Sequence, residues 1–294
     1  MIDLSIVIVS YNTKDFLKSC IESVYKTAKN LKIEIIVSDN NSHDGSSEMI
    51  SKEFKDVILI ENKENLGFSK ANNVGIKKTT GRYILFLNSD TVVYEKTLEY
   101  MVNFMDKNKD AGAATCKLVM PNGKIDDASH RGFPTPWNSI THFSGLSKIF
   151  GKTKIFGGYN LGYMDLSNTH VIDALAGAFM IVRRKAGEEV GWWDEDYFFY
   201  GEDLDFCFML KQKGWKVYYV PQVSILHYKG VSGGIKKDSQ KITTASKETK
   251  KFATKWRFAA MRIFYKKHYE QKYPWIVTRL VYIGIFFKRT LSSL

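Results

Sequence analysis

The chain has 294 residues, 44% of them hydrophobic and 14% aromatic, which is enough apolar material for one large or two modest globular domains and too much for a disordered chain. Its three cysteines, Cys20, Cys116 and Cys207, show no CxxC spacing, which argues against a disulfide framework or a zinc cluster and favours a reducing compartment. The first predicted strand begins at Leu4, so we expect no signal peptide and a site that faces the cytoplasm.

The formal net charge of +12 is concentrated at one end of the chain. From Tyr228 onward there are sixteen Lys and Arg against three Asp and Glu, whereas residues 1–227 hold twenty-seven against twenty-eight. A basic tail of this kind is typical of proteins that bind nucleic acid or an anionic membrane surface. The charge alone does not choose between these two partners.

The N-terminal part alternates predicted strands and helices. Short β-branched runs predict strands at Leu4–Val9, Ile33–Ser38, Val57–Ile60 and Tyr83–Leu87. Apolar residues at helical spacing predict helices at Asp15–Thr27, at Ser46–Phe54 and after the turn Asn65–Gly67. This alternation predicts an α/β fold with a mixed, mostly parallel central sheet, whose ligands bind at the carboxyl ends of the strands.

Beyond about residue 110 the pattern is less regular, because Pro and Gly residues interrupt shorter apolar runs. We predict a strand at Gly177–Val182, an amphipathic helix at Glu202–Gln212 and a strand at Val217–Val220. The second half is therefore expected to pack as an irregular layer on the first.

The basic tail combines charge with aromatic side chains. Trp275–Phe287 is apolar, but it is too short to cross a bilayer and carries Arg279 in its middle. The preceding stretch, Phe252–Tyr269, interleaves Lys and Arg with aromatic residues, a composition that suits helices lying in a lipid headgroup layer. We favour amphipathic membrane-associating helices; the alternative is a helical pair that covers the core and exposes a basic face.

Two acidic residues follow predicted buried strands. Asp39 is placed to accept a hydrogen bond from a pyrimidine N3–H or a ribose hydroxyl, and Asp90 to hold a divalent cation next to a diphosphate. In the alternative interpretation each carboxylate only caps the helix that follows it. With a third acidic group later in the chain, the pattern favours an enzyme.

That third group is Gly201–Asp205, which follows the aromatic run Trp192–Tyr200. Three acids in four positions are tolerated best at a helix start, where the macrodipole offsets part of their repulsion. Aromatic surroundings would desolvate one of them and raise its pKa toward that of a general base. His227 precedes a loop rich in Gly and hydroxyl groups, a context that suits a metal or diphosphate role, although lone histidines are more often structural.

Seven motifs in order resemble the family 2 inverting glycosyltransferases, especially their rhamnosyltransferase-like branch. The resemblance spans about residues 3–235, and no single motif is specific by itself. The motifs are Ser5–Asn12, Ser38–Ser46, Asn65–Phe68, Asn88–Asp90, Gly177–Met180, Gly201–Asp205 and His227.

The resemblance implies a GT-A fold and a role for each motif. Asp39 is expected to contact uracil or thymine, Asp90 and His227 to hold Mg²⁺ or Mn²⁺, and Asp203 to act as the base. Asn88 stands where the usual Asp-x-Asp triplet has its first acid. Trp193 and Glu202 are assigned to the acceptor side. The donor-binding set is Ser10, Tyr11, Asn12, Asp39, Asn65, Gly67, Asn88, Ser89 and Asp90.

The expected activity is transfer of a sugar, rhamnose or another hexose, from a UDP- or dTDP-sugar to a hydroxyl of a lipid-linked or cell-surface glycan. The expected domains are a catalytic unit at 1–235, divided at about residue 110 into nucleotide-binding (1–110) and acceptor-binding (111–235) halves, and a basic helical region at 236–294 on the inner face of the cell membrane.

Two rival functions fit parts of the sequence. A sugar nucleotidyltransferase would need a Gly-rich loop after the first strand, where Ser10–Lys14 contains no glycine. A nucleic-acid binder would leave the acidic motifs unexplained, so no nucleic-acid partner is expected.

Overall fold

Strands and helices alternate through the first half of the chain in the computed structural model, which describes residues 1–235 and 243–292. The runs Leu4–Ser10, Ile33–Asp39 and Tyr83–Asn88 are largely buried, as expected for strands covered on both faces, whereas Ile58–Glu61 is partly exposed. Their bounds agree with the sequence pattern to within a residue or two. The elements are β1 (Leu4–Ser10), α1 (Lys14–Thr27), β2 (Ile33–Asp39), α2 (Ser46–Glu53), β3 (Ile58–Glu61), α3 (Gly67–Ile76) and β4 (Tyr83–Asn88).

The second half adds strands to the same sheet and helices around it. A single 3-10 turn lies at Asp127–Ser129. The remaining elements are β5 (Thr91–Val93), α4 (Thr97–Lys107), β6 (Ala111–Val119), α5 (Pro136–Phe143), α6 (Leu146–Phe150), β7 (His170–Ile172), β8 (Phe179–Arg183), α7 (Arg184–Val190), α8 (Glu202–Gln212), β9 (Lys216–His227), α9 (Lys247–His268) and α10 (Trp275–Ser292).

The described strands form one mixed sheet in the order β3-β2-β1-β4-β8-β6-β9-β5, with β7 also paired to β9. Strands β1, β2, β3, β4, β6 and β9 run in one direction, whereas β5, β7 and β8 run against them. The predicted mixed, mostly parallel sheet is confirmed.

Apolar side chains on both faces of the sheet form the core. In β1, Ile6 and Ile8 belong to one buried cluster and Val7 to the other, as expected for a strand covered on both sides. The second cluster includes Trp193 and Phe206, so the chain around α8 packs against the sheet. This packing therefore fixes the position of the start of α8 relative to the sheet.

The helical tail contacts the rest of the chain through aromatic side chains and through one buried carboxylate. Asp205, on the first turn of α8, accepts hydrogen bonds from Lys267 Nζ (2.9 Å), His268 Nε2 (2.6 Å) and the Tyr197 hydroxyl (3.2 Å). Asp205 and His268 are only 2% and 6% exposed. Because α9 is held this closely to α8, residues 247–268 form part of the wall of the cleft above the sheet.

We expect Asp205→Ala to destabilise the fold. The substitution leaves the buried His268 imidazole and the buried Tyr197 hydroxyl without their acceptor, and breaking a buried ion pair costs about 3–5 kcal/mol. Urea unfolding followed by circular dichroism measures the change, and Asp56→Ala, which removes an exposed carboxylate, should leave the midpoint nearly unchanged. Equal midpoints for the two variants would show that Asp205 does not hold α9 in place.

Candidate active site

A cleft of about 870 Å³ lies above the carboxyl ends of β1 and β4 and below α9. Most of the residues predicted for a donor or catalytic role contribute to its walls. Those that do are Tyr11, Asn65, Gly67, Asn88, Ser89, Asp90, Glu202, Asp203 and His227. The structure thus brings together five stretches that are separated in the sequence.

Asp39 lies at the same edge of the sheet but does not line the cleft. It is 1% exposed, and its two carboxylate oxygens accept hydrogen bonds from the Ser42 amide (2.8 Å) and the Ser42 hydroxyl (2.7 Å). Burial raises the pKa of Asp39, against these hydrogen bonds. Its neighbour Asn40 lines the cleft instead and donates to the Gly67 carbonyl (3.0 Å).

Ser10 and Asn12 also lie behind the wall, where they hold the turn after β1. Ser10 Oγ lies 3.2 Å from Thr13 Oγ1, which in turn donates to Ser89 Oγ (2.9 Å). Asn12 adopts a positive φ of 52°, and its Oδ1 accepts a hydrogen bond from the His43 amide (2.8 Å). These contacts set the position of Tyr11, which faces the cleft.

Trp193 is part of the core and does not reach the cleft, unlike the acceptor-side position assigned to it from sequence. The ring is 2% exposed, stacks on Phe206 at 4.8 Å and meets Phe86 edge-on at 4.8 Å. It lies behind Gly177, which does line the cleft. The aromatic ring is buried because the sheet face beneath it is apolar.

Gly67 joins the donor side of the cleft to the segment before α8. It has a φ of +78°, and a Cβ added there would lie 2.4 Å from the Phe198 carbonyl oxygen. That carbonyl accepts a hydrogen bond from the Phe68 amide (2.8 Å). Only glycine permits this approach.

Asp90 and His227 meet at the cleft. Pairing of β5 with β9 sets Thr91 opposite His227, and His227 Nε2 lies 3.5 Å from Asp90 Oδ1. Burial disfavours the Asp90 carboxylate, yet His227 and the Val231 amide outweigh it and lower the pKa of Asp90. Burial likewise opposes charge on His227, but Asp90 and Asp126 raise its pKa to about 9.

Asp126 orients His227 from behind. Its Oδ2 lies 3.0 Å from His227 Nδ1, and its Oδ1 accepts a hydrogen bond from Lys229 Nζ (2.6 Å). Asp126 is 1% exposed, and although burial opposes ionisation, His227 and Lys229 lower its pKa. A carboxylate in this position fixes which imidazole nitrogen faces the cleft.

The geometry fits a divalent cation that takes some of its ligands from the protein and the others from the substrate. His227 Nε2 is buried without a hydrogen-bond partner and points toward Asp90. Among residues 1–235 and 243–292, no three His, Cys, Asp or Glu side chains surround a common metal position. A cation held by Asp90 and His227 would therefore complete its shell with diphosphate oxygens and water, as Mg²⁺ commonly does.

Asp203 lies at the N-terminus of α8 and is held by two donors. Arg131 Nη2 donates to its Oδ2 (2.6 Å), and the Leu204 amide donates to its Oδ1 (2.8 Å). Arg131 also donates to the Leu175 carbonyl (3.0 Å). Each carboxylate oxygen retains a free lone pair, so Asp203 is able to accept a further hydrogen bond from the cleft.

Glu202 adjoins Asp203 but has a different environment. It is 8% exposed, and its Oε2 is buried without a partner in the described chain. Burial, with the adjacent Asp203 charge, raises the pKa of Glu202 to about 8. The raised pKa favours the protonated form of Glu202, which can act as a hydrogen-bond donor.

Three residues that complete the site were not predicted from the sequence: Asp126, Arg131 and Lys229. Asp126 and Arg131 lie in an irregular segment, and the pattern Ile125–Arg131 shows no strand or helix period that would aim its side chains. The only available signal was the pair of adjacent acids, Asp126 and Asp127, in a turn.

Comparison with known proteins identifies the family of the chain. The model of the family described as Glycosyl transferase family 2 matches residues 5–169, more than half of the chain. Rhamnosyltransferase WbbL of Escherichia coli K12 is 28% identical over 232 residues, covering 76% of this chain and 82% of that protein. N-acetylglucosaminyl-diphospho-decaprenol L-rhamnosyltransferase of Mycobacterium tuberculosis is 25% identical, covering 79% and 78%.

A solved structure supports the fold. GalNAc-T7 with UDP, GalNAc and Mn²⁺ superposes with a TM-score of 0.58 at 18% identity, over 77% of this chain and 44% of that chain. The GT-A fold expected from the resemblance is confirmed. The chain belongs to glycosyl transferase family 2 and is a glycosyltransferase.

Proposed function

We propose that the protein is an inverting glycosyltransferase that moves a hexose, with rhamnose a candidate, from a UDP- or dTDP-sugar to a hydroxyl of a lipid-linked or cell-surface glycan. One observation carries this proposal: the Asp90–His227 pair and Asp203 line the same cleft. The names of the relatives support a rhamnosyl donor, and UDP in the GalNAc-T7 structure supports a uridine nucleotide.

The donor is proposed to lie over the ends of β1, β2 and β4. Tyr11 and Asn65 would flank the nucleoside, with Asn40 and the Asp39–Ser42 turn at the base edge. The diphosphate would then reach Asp90 and His227. When bound, Mg²⁺ or Mn²⁺ supplies positive charge that stabilises the departing diphosphate.

Asp203 is proposed to be the general base. It accepts the proton of the acceptor hydroxyl as that oxygen attacks the anomeric carbon from the face opposite the diphosphate. The bond to the diphosphate breaks in the same displacement, so configuration inverts. Arg131 fixes the orientation of the carboxylate, and protonated Glu202 beside it is placed to donate a hydrogen bond to the acceptor.

The tail is proposed to hold the enzyme at the inner face of the cell membrane. Trp275, Ile283 and Phe286 of α10 are 73%, 48% and 64% exposed, on a helix that also carries Lys and Arg. Of the described helices, none has the length and apolar character needed to cross a bilayer. An amphipathic helix of this kind binds by lying in the interface.

The role of Asp203 is tested by Asp203→Asn. We expect transfer from the nucleotide sugar that the parent uses to fall by about a hundred- to ten-thousand-fold, the usual contribution of a general base. UDP affinity, measured by calorimetry, should stay near the parent value because the diphosphate lies at Asp90. Asp196→Asn, which alters an exposed carboxylate nearby, should keep full activity. An active Asp203→Asn protein would exclude Asp203 as the base.

The metal assignment is tested by Asp126→Asn. Loss of the carboxylate behind a ligating histidine weakens metal binding by about ten- to a hundred-fold. We expect that decrease in Mn²⁺ affinity, with UDP present, from the electron paramagnetic resonance signal of free Mn²⁺. The exposed neighbour provides a matched control, Asp127→Asn. Unchanged affinity in Asp126→Asn would contradict the role of His227 as a ligand.

Membrane binding is tested by the double variant Ile283→Ser, Phe286→Ser. Neither residue lines the cleft, and each apolar side chain buried in lipid contributes about 1.5–3 kcal/mol. We therefore expect a decrease of about tenfold or more in partitioning onto phosphatidylglycerol vesicles, measured by flotation. Tyr94→Ser, at a 42% exposed residue outside α10, is the control. If the double variant floats as the parent does, α10 is not the membrane anchor.

A further inference from the structure

The cleft has two chemically different ends. One end carries Asp90, Asp203 and His227. The other is bounded by apolar side chains of three helices: Ile140 and Phe143 of α5, Met261 and Phe264 of α9, and Leu280, Val281 and Phe287 of α10. Several of these remain exposed at the rim, including Ile140 (57%), Leu280 (63%) and Phe287 (59%). A sugar without an attached lipid would make no apolar contact with this end of the cleft.

Two cations also line the cleft. Arg257 of α9 and Lys288 of α10 both line the cleft, and neither forms an ion pair with a carboxylate in residues 1–235 and 243–292. Lys288 Nζ lies 3.9 Å from the centroid of the Phe143 ring. Partial burial, and then the charge of Arg257, lowers the pKa of Lys288.

A third basic group lies beside them. His142 lines the cleft, and its Nδ1 is buried without a hydrogen-bond partner in the described chain. Burial, followed by the charges of Lys288 and Arg257, lowers the pKa of His142. Arg257 and Lys288 carry like charges that repel one another, and neither has an ion-paired carboxylate among the described residues. With the unpartnered His142 nitrogen beside them, they form an arrangement that a bound phosphate would stabilise.

The helix geometry places Arg257 close to Asp203, the proposed base. Ala260 of α9 packs against Gly201, since a Cβ added at Gly201 would lie 3.0 Å from Ala260 Cβ. Gly201 directly precedes Glu202 and Asp203. Arg257 lies three residues before Ala260 on the same helix, which is a separation of about 5 Å along the axis. A phosphate at Arg257 is thus near enough to be bonded to the sugar whose hydroxyl reaches Asp203.

We infer that Arg257 and Lys288 bind the phosphate of a lipid-linked acceptor, whose hydrocarbon chain occupies the apolar end of the cleft between α5, α9 and α10. The inference rests on the proposed glycosyl transfer and narrows its acceptor to a sugar joined by phosphate or diphosphate to a lipid. The hydrocarbon chain of the acceptor would enter from the bilayer past the exposed rim residues. The sugar would then lie near Asp203, the phosphate near Arg257 and Lys288, and the hydrocarbon chain among the apolar side chains.

The test measures binding of farnesyl diphosphate to the full chain by calorimetry, with UDP and Mn²⁺ at saturation so that the donor site is filled. We expect the parent to bind farnesyl diphosphate at least about tenfold more tightly than farnesol or inorganic diphosphate. Farnesol lacks the diphosphate group, and inorganic diphosphate lacks the hydrocarbon chain. Equal affinity for farnesol would exclude the cationic site. Equal affinity for inorganic diphosphate would exclude the apolar one.

Variants of the two cations locate the site. Arg257→Ala with Lys288→Ala should weaken farnesyl diphosphate binding by about tenfold or more, whereas the charge-preserving pair Arg257→Lys with Lys288→Arg should retain it. Lys255→Ala on α9 and Arg279→Ala on α10, both at exposed residues outside the cleft, control for net charge. Unchanged binding in the double alanine variant would overturn the inference.

Two further readouts distinguish a lipid-phosphate site from a donor site and from a subunit interface. UDP affinity should be unaffected in the double alanine variant; parallel loss of UDP would assign the cations to the donor. If the parent binds UDP and transfers sugar but does not bind farnesyl diphosphate, the glycosyltransferase assignment stands and the lipid site is wrong. A dimer in sedimentation velocity that Leu280→Ser makes monomeric would assign the apolar lining to a subunit interface instead.

Discussion

The register of one strand, β9, determines the geometry of the site. Its last residues pair with β5, which sets His227 opposite Thr91, while the Tyr228 amide donates to the Asp90 carbonyl (3.0 Å). Its other edge pairs with β6, and the chain leaving β6 continues directly to Asp126. Because a slip of one residue would turn every side chain of β9 to the other face, the sheet hydrogen bonds hold Asp90, His227 and Asp126 together.

Charge pairing around the cleft is nearly complete. Asp203 is paired with Arg131, Asp126 with His227 and Lys229, and Asp205 with Lys267 and His268. Such pairing is needed because an isolated buried charge is costly. Within the described residues, Glu202, Arg257 and Lys288 line the cleft without forming an ion pair. In the proposed complex, the substrate provides the hydrogen-bond acceptor or the negative charge that these groups lack within the protein.

Local pattern identified the strands of the first half and the polar residues at their ends, because strand period and burial are encoded over a few residues. The local sequence pattern did not identify β6. That strand begins Ala111-Gly-Ala-Ala114, residues with weak strand preference that are selected by tight packing beneath its neighbours. The same limit applies to Arg131 and Asp126, whose roles depend on contacts with Asp203 and His227 that lie 72 and 101 residues away. Trp193 was misplaced because an aromatic run before a helix gives no information about which rings face the core.

The attachment of α9 through Asp205 means that the tail is not a separable module. Asp205 is two residues from the proposed base on the same helical turn, and its partners Lys267 and His268 lie at the end of α9. A chain that ended before α9 would expose this carboxylate and leave the upper side of the cleft open to water. The helix that carries the proposed base is therefore joined directly to the end of α9, and through α9 to α10, the proposed membrane anchor, so a displacement of the tail would also displace Asp203.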